Sequence, residues 1–494
     1  MSAIELGLDQ LEHLGERVTD FITRHLLSLD EQPILPECLG LHELRDLLDE
    51  PLPRRPQGVD AALDDFIAKV AANSARVGHP RFLGWIRTSP LAAAIYAEAL
   101  AAALNQSVAV WNGAPSATEV ELRVLAWLKE MTGYDSQAGG ILTSGGSMAN
   151  FICLQAARAD ADPQARLHGL SGRPPFTLYI TPETHYCVPK AAEMMGIGRQ
   201  YVRTVPVDQA LRMDPAAVAE MVQADRTAGL RPMAVVATLG SVNSGACDDL
   251  LHLGQVCRAL GVWLHVDGAY GGLAALVPEK RLLAAGLAEV DSLVVDPHKG
   301  LYIPFEAGCA LVRRPEHLRS AFAVESDYLP NSEPDDPDGL FHFRDYGPQL
   351  SRNFRALKIY LALKVYGVDA IADAAAHQYR LASELAARIQ AASHQEGDLE
   401  LLAPAPLGIV AFRYSAAPPS GIPDPRAWLD SLNGSIIAEL QRRGRVFLSG
   451  TRLRGRLGSP FAIRICFTSH RTQENDLQVI LDEVRAVGRS LCRS

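Results

Sequence analysis

The chain lacks the patterns that most readily announce a function. Its 8 Cys are scattered, with no C-x-x-C pair and no Cys/His cluster at zinc spacing. That excludes a zinc-ribbon or disulfide scaffold and leaves reduced thiols in a cytoplasmic protein as the expectation. The 14 His contain no H-E-x-x-H, so no structural or catalytic metal is expected. Positive charge is in short supply: the net charge of −10 argues against a general binder of nucleic acid or of anionic membranes. The opening Met-Ser-Ala-Ile-Glu-Leu has no basic run and no long apolar core, so no secretory signal is read there. Long hydrophobic runs are scarce too. Leu91 to Trp111 has the length of a membrane span but is Ala-rich and interrupted by Glu98, Asn105 and Gln106, which predicts a buried helix and no membrane partner. Internal repeats and low-complexity tracts are absent.

What remains is a globular composition, 48% hydrophobic and 21% charged over 494 residues, enough for two or three domains. Residues 1–85 read as an N-terminal helical segment. Leu11, Leu14, Val18, Phe21, Ile22 and Leu26 recur at helical steps, the Pro-rich stretch 49–56 interrupts, and Leu63, Phe66, Ile67 and Val70 share a second face. Two apolar faces in so small a region need a surface to cover them. In residues 86–365 helices alternate with short apolar strands at 140–143, 176–180, 233–238, 262–266, 292–295 and 309–312. That alternation predicts an α/β fold with a largely parallel sheet covered on both faces. Residues 325–347 form a long acidic loop with three prolines, the length of a disordered tract or of an active-site lid. Residues 366–494 read as a smaller C-terminal α+β domain, with helices near 369–392 and 424–443 and a strand at 461–467. The Arg cluster from Arg442 to Arg456 reads as a solvated hairpin.

The residues capable of chemistry fall at the carboxyl ends of these strands, where α/β sheets bind ligands. Lys299 follows the strand Leu293–Val295 and the stop Asp296-Pro297, with His298 before it and Gly300 after it. A lysine so placed can form an imine with a carbonyl, and pyridoxal phosphate is the commonest such partner. Thr143-Ser-Gly-Gly-Ser147 joins a strand to a helix start, where small residues and free N–H groups suit a phosphate. The Lys-Ser/Thr ending of a Walker loop is missing. Asp267 ends another buried strand, and a carboxylate there needs a cation. A pyridinium nitrogen about 4 Å away would supply roughly 4 kcal/mol before desolvation. His185 could stack on a flat cofactor and exchange protons. Thr238 opens a further small-residue turn. A rival reading takes Ser147, Asp267 and His298 as a hydrolase triad, since Gly145-Gly-Ser147-Met-Ala149 misses G-x-S-x-G only at its last position. That reading leaves Lys299 unexplained.

In chain order Gly146-Ser147, His185, Thr238, Asp267-x-Ala269 and His298-Lys299 resemble the pyridoxal-phosphate-dependent group II amino acid decarboxylases, over roughly residues 79–485. The resemblance implies an aspartate-aminotransferase-like fold (type I, seven-stranded sheet) and a homodimer with active sites at the interface. It implies an L-amino acid substrate, with an aromatic or other bulky side chain favoured. By the same resemblance Lys299 would bind the cofactor covalently and Asp267 would pair with the ring nitrogen. Ala269 and His185 would cover the two ring faces. Gly146, Ser147 and His298 would lie at the phosphate, and Thr238 near the ring hydroxyl. Arg464 would meet a substrate carboxylate, and Trp85, Ile86 and Thr88 would line the substrate pocket. Two departures stand out. Gly300 replaces a bulky family residue and is expected to leave space near the cofactor. Phe343 occupies, by ungapped counting from Arg352, the place of the loop Tyr that returns a proton to the carbanion. The expected product is an amine and carbon dioxide, with Tyr346 or Tyr328 as substitute donors. The alternative is oxygen-dependent formation of an aldehyde, ammonia and hydrogen peroxide.

Overall fold

The computed structural model describes residues 4–36, 40–324 and 340–493. A seven-stranded sheet forms its centre, in the order β1-β7-β6-β5-β4-β2-β3. The strands are β1 (Gly139–Thr143), β2 (Phe176–Ile180), β3 (Val202–Thr204), β4 (Arg231–Thr238), β5 (Trp263–Asp267), β6 (Ser292–Val295) and β7 (Gly308–Val312). Only β7 runs antiparallel to its neighbours β1 and β6, so the other six strands share one direction. The six strands expected from apolar runs are all present. Val202–Thr204, half-buried at the sheet edge, carries no such run and has no local signal in the sequence.

The central strands are buried on both faces, as is every residue of β2, β5, β6 and β7. Each large side chain so buried contributes about 1.5–3 kcal/mol. Among the helices are α1 (Leu8–Leu27), α2 (Leu41–Leu48), α3 (Val59–Asp65), α4 (Ala92–Leu104), α5 (Pro115–Thr132) and α6 (Gly146–Ala161). Helix α6 lies on the sheet through Ala149, Ile152, Cys153, Ala156 and Ala157, a mostly small-residue face that brings its backbone close to the strands. Helix α4 covers the expected apolar stretch but is only half-buried: Ala94, Ala97 and Ala101 face inward, whereas Leu100 and Leu104 are exposed.

A second, antiparallel sheet, β10-β11-β9-β8, is built from β8 (Leu399–Leu401), β9 (Ile409–Tyr414), β10 (Ser449–Arg452) and β11 (Phe461–Cys466). Helices at Val368–Gln395, Pro425–Arg443 and Glu474–Leu491 pack on it around a separate core. The Arg cluster spans the end of one helix and the β10–β11 hairpin, and Arg442, Arg443, Arg445 and Arg452 are held in ion pairs. The segment 79–85 joins this sheet: Phe82 stacks on Phe447 at 4.5 Å, and the Leu83 carbonyl accepts from Cys466 N. Helices α1, α2 and α3 bury no residue. Helices α1 and α3 are held together by Arg17 on Asp60 and Asp64.

Candidate active site

The parallel strands aim their carboxyl ends at one cavity of about 910 Å³, closed on its far side by β10, β11 and the 85–87 segment. Lys299 stands on a single helical turn, Pro297–Gly300, that begins where β6 ends. Proline at the first helical position fixes the backbone there. Lys299 Nζ lies 2.9 Å from Asp296 Oδ2 and is 20% exposed. Burial works against its charge, but Asp296 and then Asp267 outweigh it and hold the ammonium above its ordinary range.

Asp267 ends β5, and its Oδ1 accepts only the Ala269 N–H, at 3.2 Å. Thr238, its register partner on β4, has a buried hydroxyl with no hydrogen-bond partner. Such orphans are costly, so a ligand group at this spot would gain. Asp248 fixes the Thr238 backbone by accepting its N–H at 2.7 Å.

On the opposite wall, β1 passes through Ser144-Gly145 into α6. Gly145 takes φ 136°, a conformation that side chains resist. The turn is pressed against the start of β7: a Cβ on Gly308 would stand 2.5 Å from Gly145 Cα. The first N–H groups of α6, at Gly146 and Ser147, have no acceptor within the helix and open on the cavity. Asn150 holds the turn from beneath, donating to the Gly146 carbonyl at 2.7 Å while its Oδ1 meets His265 of β5 at 2.8 Å.

His185 sits on the cavity wall after β2. Its Nδ1 accepts from Cys187 N at 3.3 Å, which leaves the ring proton on Nε2, and burial lowers its proton affinity. His298 places Nδ1 2.6 Å from the Ala307 carbonyl, and burial likewise favours its neutral form. Arg464, on β11, is almost fully buried. It donates to the carbonyls of Val242 at 2.6 Å and Trp85 at 2.8 Å, and its Nη2 has no partner. Trp85 (φ 55°), Ile86 and Ala269 complete the expected wall.

Two expectations, for Thr88 and Gly300, are corrected by the packing. Thr88 is buried behind the wall, where its hydroxyl donates to the His298 carbonyl at 2.9 Å; it supports the site from outside the cavity. Gly300 leaves no space, because a Cβ there would meet the Leu273 side chain at 2.8–2.9 Å. Phe343 and Tyr346 are not brought to the cavity of their own chain. Phe343 is fully buried in the main core between Phe341 and the Arg352 guanidinium, which lies 4.6 Å from its ring centre. Tyr346 packs on Phe341 in the same core. Tyr328 lies outside the described residues. The hydrolase triad does not form either: the carboxylate beside His298 is Asp296, at 3.6 Å, and its Nδ1 is taken by Ala307.

Residues missed from the sequence line the cavity as well. Asp296 is 1% exposed; its burial followed from the same apolar-strand argument that singled out Asp267. Cys187, Arg87, Phe305, Ser449, Thr451 and Phe461 come from helices, loops and the second sheet, without a local signal. Among the described residues no group of three or more His, Cys, Asp or Glu could hold a metal, and no helix is long and apolar enough to cross a membrane.

These donors fit a phosphorylated aromatic aldehyde. An amine would suit its carbonyl, a carboxylate a protonated ring nitrogen, an orphan hydroxyl a ring substituent, and a helix N-terminus the phosphate. The comparisons agree. Residues 42–415 match the pyridoxal-dependent decarboxylase conserved domain. The chain is 32% identical to an aromatic-L-amino-acid decarboxylase of Bacillus atrophaeus, over 99% of this chain and 97% of that one. It is 26% identical to a phenylacetaldehyde synthase of Arabidopsis thaliana, over 96% of each. Among solved structures, that of Oryza sativa TDC with PLP and tryptamine superposes with a TM-score of 0.90 at 25% identity, covering 98% of this chain and 99% of that one.

Proposed function

The chain belongs to the pyridoxal-dependent decarboxylase family, with pyridoxal phosphate as its cofactor, and on that premise we propose that it decarboxylates an aromatic L-amino acid to the amine. The observation that carries this reading is the convergence of Lys299, Asp267, Thr238 and the α6 turn on one cavity that also holds the unpartnered Nη2 of Arg464. An aromatic side chain is supported by Trp85, Phe305 and Phe461 on the cavity wall and by the activities named for similar proteins.

Lys299 would hold the cofactor, Asp267 its ring nitrogen, Thr238 its ring hydroxyl, and Gly146 and Ser147 its phosphate, with Ala269 and His185 on its two faces. When bound, the cofactor supplies a ring that accepts the electron pair released as carbon dioxide leaves. The chain's own residues do the rest. Arg464, fixed by two carbonyls, can grip a carboxylate through Nη2 without paying for its own ordering. Within one chain the proton for the α-carbon comes from a group on the wall: Lys299 Nζ beside Asp296, His185 Nε2 or the Tyr186 hydroxyl.

Phe343 supports a second reading, oxygen-dependent formation of an aldehyde, because it has no proton to give where family decarboxylases carry a Tyr. Its burial in its own chain weighs against that role. A panel of L-amino acids assayed with an oxygen electrode separates the two. Carbon dioxide and amine without oxygen uptake are expected; stoichiometric aldehyde and peroxide would replace the first reading with the second.

We also propose a cytoplasmic homodimer. Leu8, Leu11 and Val18 on α1, Leu100 and Leu104 on α4, and Val365 and Tyr366 are exposed apolar groups that a second copy would cover. Light scattering after size exclusion should give twice the 53.4 kDa chain mass; a monomer that binds cofactor would refute it.

A further inference from the structure

Glu183 is a buried carboxylate that the chemistry of the site does not use. It lies in the loop after β2, two residues before His185, is 1% exposed and does not line the cavity. Burying a carboxylate is costly, and both donors to this one are neutral. Oε1 accepts the Gly455 N–H at 2.7 Å, and Oε2 accepts from Asn243 Nδ2 at 2.8 Å. An amide in its place would set an NH2 group against one of those donors. Each donor belongs to a different part of the cavity wall. Gly455 lies in the turn of the β10–β11 hairpin, which is pressed onto the loops of the main sheet. A Cβ there would stand 2.6 Å from Val207 Cγ2 and 2.9 Å from Leu211 Cδ2, and Leu453 shares a small core with Leu211. Asn243 accepts the Thr451 hydroxyl of β10 at 2.6 Å. It follows Val242, whose carbonyl holds Arg464 Nε at 2.6 Å. The segments that carry His185, Thr451 and one anchor of Arg464 thus meet at one buried side chain.

We propose that Glu183 is a positioning residue for the substrate carboxylate, acting through Asn243 and Val242 on Arg464. The turn after β4 closes on itself by the Gly245 N–H to the Ser241 carbonyl, at 2.8 Å, a bond that spans the Val242–Asn243 peptide without including it. The orientation of that peptide is set instead by the Asn243 side chain, and Glu183 holds that side chain. Through the Val242 carbonyl the same contact fixes Nε of the guanidinium. The Trp85 carbonyl, 2.8 Å from Nη1, restrains the other end, and both anchors are needed for the unpartnered Nη2 to keep one direction. A guanidinium that has lost an anchor must be ordered when the carboxylate binds, and affinity falls by that cost. The Gly455 contact works in the same sense, holding the hairpin whose second strand carries Arg464. The inference rests on the reading of Arg464 as the group that grips the substrate carboxylate.

The test uses the holoenzyme and two probes that differ only by a carboxylate, L-tryptophan and tryptamine. L-Tryptophan is read as KM or, if it is not turned over, as an inhibition constant against the best substrate of the panel; tryptamine is read as an inhibition constant. Glu183→Ala should weaken L-tryptophan about tenfold and tryptamine by less than about twofold. Arg464→Ala should show the same selectivity at about a hundredfold. Adding Glu183→Ala to Arg464→Ala should change neither constant further, since no guanidinium is left to position. Equal weakening of both probes by Glu183→Ala, or effects that multiply in the double variant, overturns the proposal. Should Glu183→Ala not fold, Glu183→Gln, which keeps the volume and one acceptor, should weaken L-tryptophan about threefold and leave tryptamine unchanged; a loss shared by both probes overturns the proposal there too. If Arg464→Ala itself weakens both probes alike, the reading of Arg464 as the carboxylate grip is what fails, and the role of Glu183 falls with it.

Discussion

At the residue scale, the site is a set of polar groups whose partners are missing from the protein itself. Thr238 Oγ1, Arg464 Nη2 and one oxygen of Asp296 are buried without partners, although buried polar groups are almost always paired. Lys299 is the group on which the others depend. Lys299→Ala should abolish the visible band that borohydride removes and lower turnover by roughly 10³-fold or more, since the covalent tether and its amine are both lost. A coloured, active variant would contradict this. Gly300 is a packing residue: Gly300→Ala should cost about 1–3 kcal/mol by overpacking against Leu273, read as a lower urea midpoint. Its product and substrate profile should match the wild type, and a changed profile would return Gly300 to the cavity.

At the scale of elements, the cradle depends on three pieces meeting: the β1–α6 turn, the start of β7 and the Asn150–His265 link. Gly308→Ala sets a Cβ 2.5–2.8 Å from the backbone of Gly145, which cannot yield as a side chain could. The turn should shift, and cofactor retention on dialysis should fall more than the melting temperature does. Equal losses would mean that β7 rather than the turn gives way. On the other side of β1, Arg352 and Glu121 form a fully buried pair, and Arg352 Nη2 also donates to the Leu142 carbonyl at 3.0 Å. Removing one partner of such a pair typically costs about 3–5 kcal/mol, because the other is left charged in the dry interior. Arg352→Ala should therefore unfold the protein at markedly lower urea and release Phe343, whose ring the guanidinium covers. A midpoint within error of the wild type would refute a stabilising pair.

At the scale of the whole molecule, stability should depend on pH through buried imidazoles. Burial pushes His265 down to about 3, and His79 and His470 to about 4 each. Between those values and 6.5 the unfolded chain binds protons that the folded chain does not. Stability is then fully present above pH 6.5 and is lost as the pH falls through that window. The urea midpoint should drop between pH 7 and pH 5, and His265→Asn should remove part of the drop. A midpoint that rises on acidification would contradict the burial argument.

The sequence by itself determined six of the seven strands of the main sheet, their largely parallel arrangement and the residues at their carboxyl ends. Continuous apolar runs, abrupt stops and polar residues just beyond them are local signals. Lys299, Asp267, Thr238 and the Gly145-Gly146 turn are legible for that reason. Tertiary structure alone decided which of those residues face the cavity and which only support it. Thr88, Gly300, Phe343 and Tyr346 could not be placed by counting, because a side chain's neighbours come from elements distant in the chain: Leu273 against Gly300, Arg352 over Phe343, the His298 carbonyl under Thr88. The wall contributed by β10 and β11 had no local signature for the same reason. Asp296 shows the boundary most plainly: its burial could be read from Leu293 to Val295, but its contact with α6 arises only when β6 and β1 lie on either side of β7.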